Sequence, residues 1–266
     1  MTDQDTAVLT ERRGHILLAT INRPEARNAV NRAVTDGLGA ALDEADTNDD
    51  IWAFVVTGAG DKSFCAGADL KAVSRRESSA GTDPRAGGWG FAGYVRHPIS
   101  KPTIAAVNGF ALGGGTELAL ASDLVVAAEG ASFGLPEVKR GIFAAAGGVI
   151  RLPAQLPKKV AMEMIMTGEP ISARRALELG LVNRVVPQDQ VIAGAVELAE
   201  KICANAPLSV QTSKRIALGI IDGQIPAEDE AWALSAAEGK VLMQSADSKE
   251  GPRAFIEKRA PRWQGR

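Results

Sequence analysis

KPTIAAVNGFALGGGTELALASDLVVAA, residues 101–128, is the stretch that decides the fold. Pro102 to Val107 is a short apolar, partly β-branched run that reads as a strand, and Asn108-Gly109 turns the chain after it. Gly113-Gly114-Gly115 then opens a helix over Thr116 to Ala121. A second apolar run, Asp123 to Ala128, ends at Glu129-Gly130. Strand, helix, strand with near-continuous apolar strands describes an α/β architecture whose strands are covered on both faces.

The same pattern extends upstream. His15 to Ile21 reads as a strand broken by Asn22-Arg23-Pro24-Glu25. Val34, Leu38, Ala41, Leu42 and Ala45 recur at helical spacing over Asn31 to Ala45. Ile51 to Thr57 is too short for a buried helix and reads as a fully covered strand that stops at Gly58-Ala59-Gly60. Residues 72–100 carry glycines and Pro84 without a period and read as a loop with at most one helix. Downstream of about residue 150 strands nearly vanish. A helix over Val160 to Thr167 stops at Gly168, and Ser172 is placed to N-cap another that stops at Gly180. Leu181 to Val186 is a last short strand, and helices are expected near 189–204, 207–219, 226–245 and 248–259. The chain therefore divides into a core over residues 1–190 and a helical region over 191–266 that packs on the core or on another subunit.

Composition narrows the function. Of 266 residues 45% are hydrophobic and 23% charged, close to the soluble average. The net charge of -2 gives no global positive field for nucleic-acid phosphates. The two histidines, His15 and His97, cannot build an imidazole-rich metal site, and neither lies in a nucleophile motif, so Ser-His hydrolysis is disfavoured. Cys65 and Cys203 lack zinc spacing and read as buried thiols of a reducing compartment. Met1 to Asp5 lacks the regions of a signal peptide, and no apolar run approaches the roughly 20 residues of a membrane span. The cytoplasm is the expected location, with no membrane and no nucleic acid as partner.

Glycine is in excess, 28 of 266 residues, and its clusters fall at strand ends. One lies in Phe64-Cys65-Ala66-Gly67-Ala68-Asp69-Leu70-Lys71, the other in Ala111 to Glu117. Glycine lets backbone N–H groups approach a ligand, and at a helix N-terminus those groups are unsatisfied and sit at the positive end of the dipole. Two such amides from different loops can meet one oxyanion. The same glycines also serve close helix packing and a tight turn. Phosphate cradling is less well supported, because neither P-loop nor dinucleotide-binding spacing is present. Glu117, in the first turn of the glycine-led helix, and Glu137, in Phe133-Gly134-Leu135-Pro136-Glu137, suit general acid–base work on a carbonyl compound. Each alone also reads as a helix-start or surface charge. Two buried carboxylates about 4 Å apart repel by about 4 kcal/mol at an effective dielectric of 20, so one tends to keep a proton.

These motifs, together with Asn22 to Ala29, Thr57 to Lys71, Lys101 to Gly109, Gly113 to Asp123, Leu177 to Asn183 and Ala254 to Arg259, resemble the crotonase superfamily, the enoyl-CoA hydratase/isomerase family, in order and spacing over nearly the whole chain. The resemblance implies a spiral of repeated ββα units with a C-terminal helical region, assembled as a homotrimer or a hexamer (a dimer of trimers). It implies an acyl-CoA thioester as ligand and no cofactor beyond the coenzyme A of the substrate. The thioester oxygen would lie between the amides of Ala68 and Gly114. Glu117 would help activate the water that adds at Cβ, and Glu137 would orient it and supply the proton at Cα. Ala66, Ala68, Asp69 and Leu70 would meet the CoA through their backbone, with Lys71 near its phosphates and Lys258, on the C-terminal helix, reaching them. Asp69 reads as structural.

The chain departs from the family at Gly141 to Val149, where a Pro-Gly-Ala-Gly-Gly-like loop is replaced by an alanine run, and Thr116 stands where a small residue is usual. Trp89 to Gly93 is similar to the branch of crotonobetainyl- and carnitinyl-CoA hydratases, and its aromatic residues serve either an acyl tunnel or the core. The expected activity is reversible addition of water to a 2-enoyl-CoA. The alternatives are enoyl-CoA isomerisation, hydration of a specialised acyl group (crotonobetainyl or a steroid side chain), and, from another class, an acyl-CoA- or RNA-binding protein with little turnover.

Overall fold

A computed structural model describes residues 6–69, 81–82 and 88–266. Two sheets form the core. The larger has six strands in the order β1 (Val8–Arg13), β2 (Ile16–Ile21), β3 (Ala53–Gly58), β5 (Thr103–Val107), β7 (Leu124–Ala128) and β10 (Arg184–Val186). All its neighbours run parallel except β1 and β2. The smaller sheet runs β4 (Ser63–Cys65), β6 (Phe110–Leu112), β8 (Ser132–Gly134) and β9 (Ile171–Ser172). Successive strand pairs β3–β4, β5–β6 and β7–β8 each give one strand to each sheet, which generates a spiral. The α/β expectation holds, and β3 and β5 are buried along their whole length, as continuous apolar runs require.

The corners between the sheets are tight. Asn108 Nδ2 donates to the carbonyls of Gly58 and Gly60 at 2.7 and 2.6 Å. The fully buried Asn28 donates to Ala59 O and Ser63 O at 2.9 and 2.7 Å. A Cβ at Gly109 would come within 2.5 Å of the Lys62 backbone, so only glycine fits that corner.

Helix α1 (Arg32–Thr47) is capped by Asn31, whose side chain accepts from Val34 N, and buries the stripe read from the sequence. Helix α2 (Gly114–Ala121) follows β6, and a five-residue 3-10 turn, Pro136–Arg140, follows β8. Helix α3 (Gly148–Gln155) was not legible, because it starts at a glycine pair and contains Pro153. Strand β1 was equally hidden: among its residues only Val8 is buried, so it has no apolar face to read. Helices α4 (Lys158–Thr167) and α5 (Ala173–Glu178) end and begin as expected, at Gly168 in the left-handed region and at the Ser172 cap.

The helical region comprises α6 (Val191–Cys203), α7 (Pro207–Leu218), α8 (Asp229–Leu242) and α9 (Ala246–Ile256). Helix α6 buries Val191, Ala195 and Ala199 against the large sheet, whereas α7 and α8 bury none of their residues fully in the single chain. Lys214 ties α7 to the core through Asp123 at 2.7 Å and Lys101 O at 2.8 Å. Among the described residues no helix is long and apolar enough to cross a membrane.

Candidate active site

The first wall of the site is the turn after β4. Val30 N donates to Gly67 O at 2.8 Å and Asp69 N donates to Val30 O at 2.9 Å, which holds Ala68 in a one-residue parallel bridge with Val30. In an extended segment successive backbone groups alternate sides, so the Ala68 N–H faces away from Val30. Ala66 N donates to Arg27 O at 3.1 Å, and Arg23 binds Asp69 at 2.9 Å with both side chains largely buried. The segment Asn22–Ala29 is thus the clamp of this turn, with Asp69 as its partner for Arg23.

The second wall is the start of α2. Gly113 takes φ +56 and ψ -123, and its N–H donates to Gly134 O at 2.9 Å. As the first helical residue, Gly114 has no intrahelical acceptor for its N–H. The two walls touch: a Cβ at Gly67, where φ is +87, would lie 3.2 Å from Gly114 N, and one at Gly114 would lie 2.4 Å from the Phe91 ring. The glycines are needed here for close approach between the two loops, which sets the residue before Ala68 against Gly114. Thr116, at the unusual position, is fully buried; its hydroxyl donates to Ala111 O at 2.6 Å and accepts from Gly134 N at 2.9 Å, locking α2 to the small sheet.

Glu117 is buried, 3% exposed, and its Oε1 accepts from Gly148 N at 2.8 Å at the start of α3. Glu137, on the 3-10 turn, leans over Gly113, where an added Cβ would meet its Oε1 at 2.8 Å. Its Oε2 is buried without a hydrogen-bond partner among the described residues. Burial pushes the Glu117 carboxyl up to about 8, with the charge of Glu137 as the next contribution. Burial also pushes Glu137 up to about 7. The two carboxyls therefore stand close enough to interact, Glu117 buried and Glu137 half-buried, and both are disposed to keep protons near neutrality, the condition under which carboxyls serve as acid and base.

A cavity of about 740 Å³ opens beside Ala68, lined on the core side by Ala68, Phe91, Phe143 and Ala146 and on the other by α8 and α9; Gly114, Glu117 and Glu137 are not among its lining residues. The altered loop Gly141–Val149 supplies Ile142, Phe143, Ala145 and Ala146 of this wall. Phe91 serves the cavity, while Trp89 packs on Gly39 and stacks on His97 with ring centroids 4.1 Å apart. Trp232 of α8 is a cavity residue that the sequence did not single out, since one tryptophan in an alanine-rich helix carries no period.

Not every expected residue is placed there. Leu70 and Lys71 lie outside the described residues. Lys258 is not on the C-terminal helix, which ends at Ile256. It takes φ +52 in a Schellman turn, with Lys258 N donating to Phe255 O and Arg259 N to Ala254 O, and it is exposed outside the cavity lining. No glycine marks this stop, which is why the helix reads too long. His15 stacks on Trp52 at 3.5 Å and lies outside the cavity lining. Cys65 and Cys203 are free thiols. Among the described residues no group of three or more His, Cys, Asp or Glu is placed to hold a metal ion.

Fold and geometry together describe a two-sheet α/β spiral that sets two carboxyls, Glu117 buried and Glu137 half-buried, beside a glycine-led helix start and near an apolar cavity to which Ala68 contributes. The chain belongs to the enoyl-CoA hydratase/isomerase family, whose sequence model matches residues 11–266. It is 43% identical over 259 residues to a carnitinyl-CoA dehydratase of Salmonella typhi, covering 96% of this chain and 97% of that protein. Among solved structures it is similar to a carnitinyl-CoA hydratase from Mycobacterium avium, with 60% identity, 98% and 99% of the two chains covered and a TM-score of 0.96. It is also similar to an enoyl-CoA hydratase from Mycobacterium tuberculosis H37Rv, with 45% identity, 98% and 100% covered and a TM-score of 0.76.

Proposed function

We propose that this protein is an enoyl-CoA hydratase that adds water reversibly across the α,β double bond of a 2-enoyl-CoA thioester. The observation that carries the reading is the pair of interacting carboxyls, Glu117 buried and Glu137 half-buried, both raised toward neutrality by desolvation, next to Gly113 and Gly114. Ala68 and Gly114 would donate their N–H groups to the thioester oxygen. Such donors act where charge develops in the transition state, and losing one typically costs about 10²–10³ in rate.

In this scheme the reactive form of the pair carries one proton, on Glu137. Glu117, ionised, takes a proton from the water as its oxygen bonds to Cβ. The π electrons pass to the thioester oxygen as an enolate, which collapses as Glu137 gives its proton to Cα. The two carboxyls end with their protonation states exchanged and reset by proton transfer. The chemistry requires no metal or redox group, and coenzyme A enters as part of the substrate. The turn at Ala66 to Asp69, continuing into Leu70 and Lys71, would meet the nucleotide end. Lys258, exposed at the close of α9, would reach the CoA phosphates, including those bound to a neighbouring copy.

The presence of both glutamates favours hydration over double-bond isomerisation, for which one acid–base group suffices. Two free thiols fit a reducing compartment, and we place the enzyme in the cytoplasm. We also propose assembly as a homotrimer or hexamer through residues 191–266, supported by the exposed apolar residues Leu208, Ile216, Leu234 and Val241 on α7 and α8. Purified protein should abolish the enoyl-thioester absorbance of 2-enoyl-CoA substrates and yield a 3-hydroxyacyl product by mass. Glu117→Gln and Glu137→Gln should each lower that rate by about 10²–10⁴. Unchanged rates in both variants, or a product of unchanged mass with a moved double bond, would exclude the reading.

A further inference from the structure

We infer that the acyl cavity selects a bulky, uncharged, apolar 2-enoyl group and discriminates against one bearing a quaternary ammonium. The inference rests on the hydratase reading of the site and concerns what that site accepts. Carnitinyl-CoA dehydratases, by their name, act on an acyl group with a trimethylammonium centre. A protein recognises such a centre with open aromatic faces, usually helped by a carboxylate.

This cavity has the aromatic rings, but cations already sit on two of them. The Arg96 guanidinium lies 4.9 Å from the centroid of the Trp232 ring, with Arg151 at 5.7 Å, and Arg140 lies 4.1 Å over Phe255. Among the described residues the charged side chains on the cavity wall are Arg96 and Arg140, both positive, and no carboxylate lines it. The nearby acid Glu228 stands behind the wall. Arg151 holds it through two bonds of 2.9 and 2.8 Å, and Trp232 Nε1 donates to it at 3.0 Å. The remaining carboxyls, Glu117 and Glu137, are committed to the reacting carbons. A ligand cation would thus meet like charge and, at Trp232 and Phe255, rings that already bear a guanidinium, which is the repulsive half of specificity. Size points the same way: about 740 Å³ of mostly apolar space leaves room for an extended acyl group beyond the thioester end of the CoA arm that shares it.

The test isolates charge from shape. One substrate is 4-trimethylammoniobut-2-enoyl-CoA, and the other is 5,5-dimethylhex-2-enoyl-CoA, in which carbon replaces the nitrogen. The neutral ester should have the higher kcat/KM by about tenfold or more. Dec-2-enoyl-CoA should be hydrated at least as well as but-2-enoyl-CoA. An equal or better cationic ester overturns the charge selection, and a poor decenoyl ester overturns the size selection. Calorimetry with the saturated, unreactive counterparts of the two isosteric esters keeps the question separate from catalysis. A binding preference for the neutral ester with no turnover of any ester removes the hydratase reading and leaves the pocket inference standing; equal binding removes the inference alone. Arg96→Glu reverses the charge of the wall and should bring the two esters within about threefold. An unchanged ratio overturns the assignment of selectivity to this wall.

Discussion

Glu117 and Glu137 hold protons in the folded protein that they would release when unfolded. Their ordinary value is 4.5, and burial raises them to about 8 and about 7. Between these limits the folded state binds more protons than the unfolded state, so stability falls as pH rises from about 4.5 to about 8. Glutamine at position 117 keeps an acceptor for Gly148 N and cannot ionise. Glu117→Gln should therefore unfold a few degrees higher than the parent at pH 8.5 and at nearly the parent temperature at pH 5, read by calorimetry without ligand. A variant that loses activity and gains stability in this pH-dependent way separates a functional charge from a structural one. The glutamates were legible as a pair in the sequence, since each follows a strand-end motif. That Gly148 N would hold one of them was not, because α3 is masked by Gly147, Gly148 and Pro153.

At the level of elements, the site depends on a helix remote from it in sequence. Helix α9 crosses the 3-10 turn that carries Glu137 with backbone nearly on backbone. A Cβ at Gly251 would stand 1.9 Å from Arg140 O, and one at Gly141 would stand 2.2 Å from Asp247 O. Gly251→Ala must move α9 or the turn, because neither contact is a flexible side-chain end. We expect a loss of about 1–3 kcal/mol in urea unfolding, earlier proteolysis of the last helix and a lower hydration rate. Unchanged unfolding and protease patterns would show that α9 is not anchored there. The four C-terminal helices were legible from periodicity and their stops. Their destination was not, since α8 and α9 have no fully apolar face that names a partner. Lys258 shows the same limit, its helix being closed by a left-handed lysine that no sequence signal announces.

Across the whole molecule, large apolar side chains remain open to solvent on the helical region. Ile216 is 77% exposed, Val241 69% and Leu208 73%. Scattered apolar residues are ordinary on a surface, but a run of them on α7 and α8 fits contact with further copies of the chain. Light scattering of the parent should give a multiple of three chains, and Ile216→Lys with Val241→Glu should shift the mass toward the single chain. A monomeric parent would remove the trimer-based assembly. Helix α8 also lines the cavity, so one element takes part in both the site's outer wall and the surface offered for assembly.

By itself the sequence determined the α/β class, the strand-end glycine motifs and the two glutamates. Continuous apolar strands, left-handed turns and first-turn acids are local in the chain, and local chemistry is written in neighbouring residues. Tertiary structure alone decided that Ala68 faces the same cavity as Phe91, that Gly148 N secures Glu117, and that Trp232 and Phe255 bear arginines on their faces. Those facts join residues tens to more than a hundred positions apart. No periodicity encodes such meetings, because they follow from how the spiral and the helical region stack once each has formed.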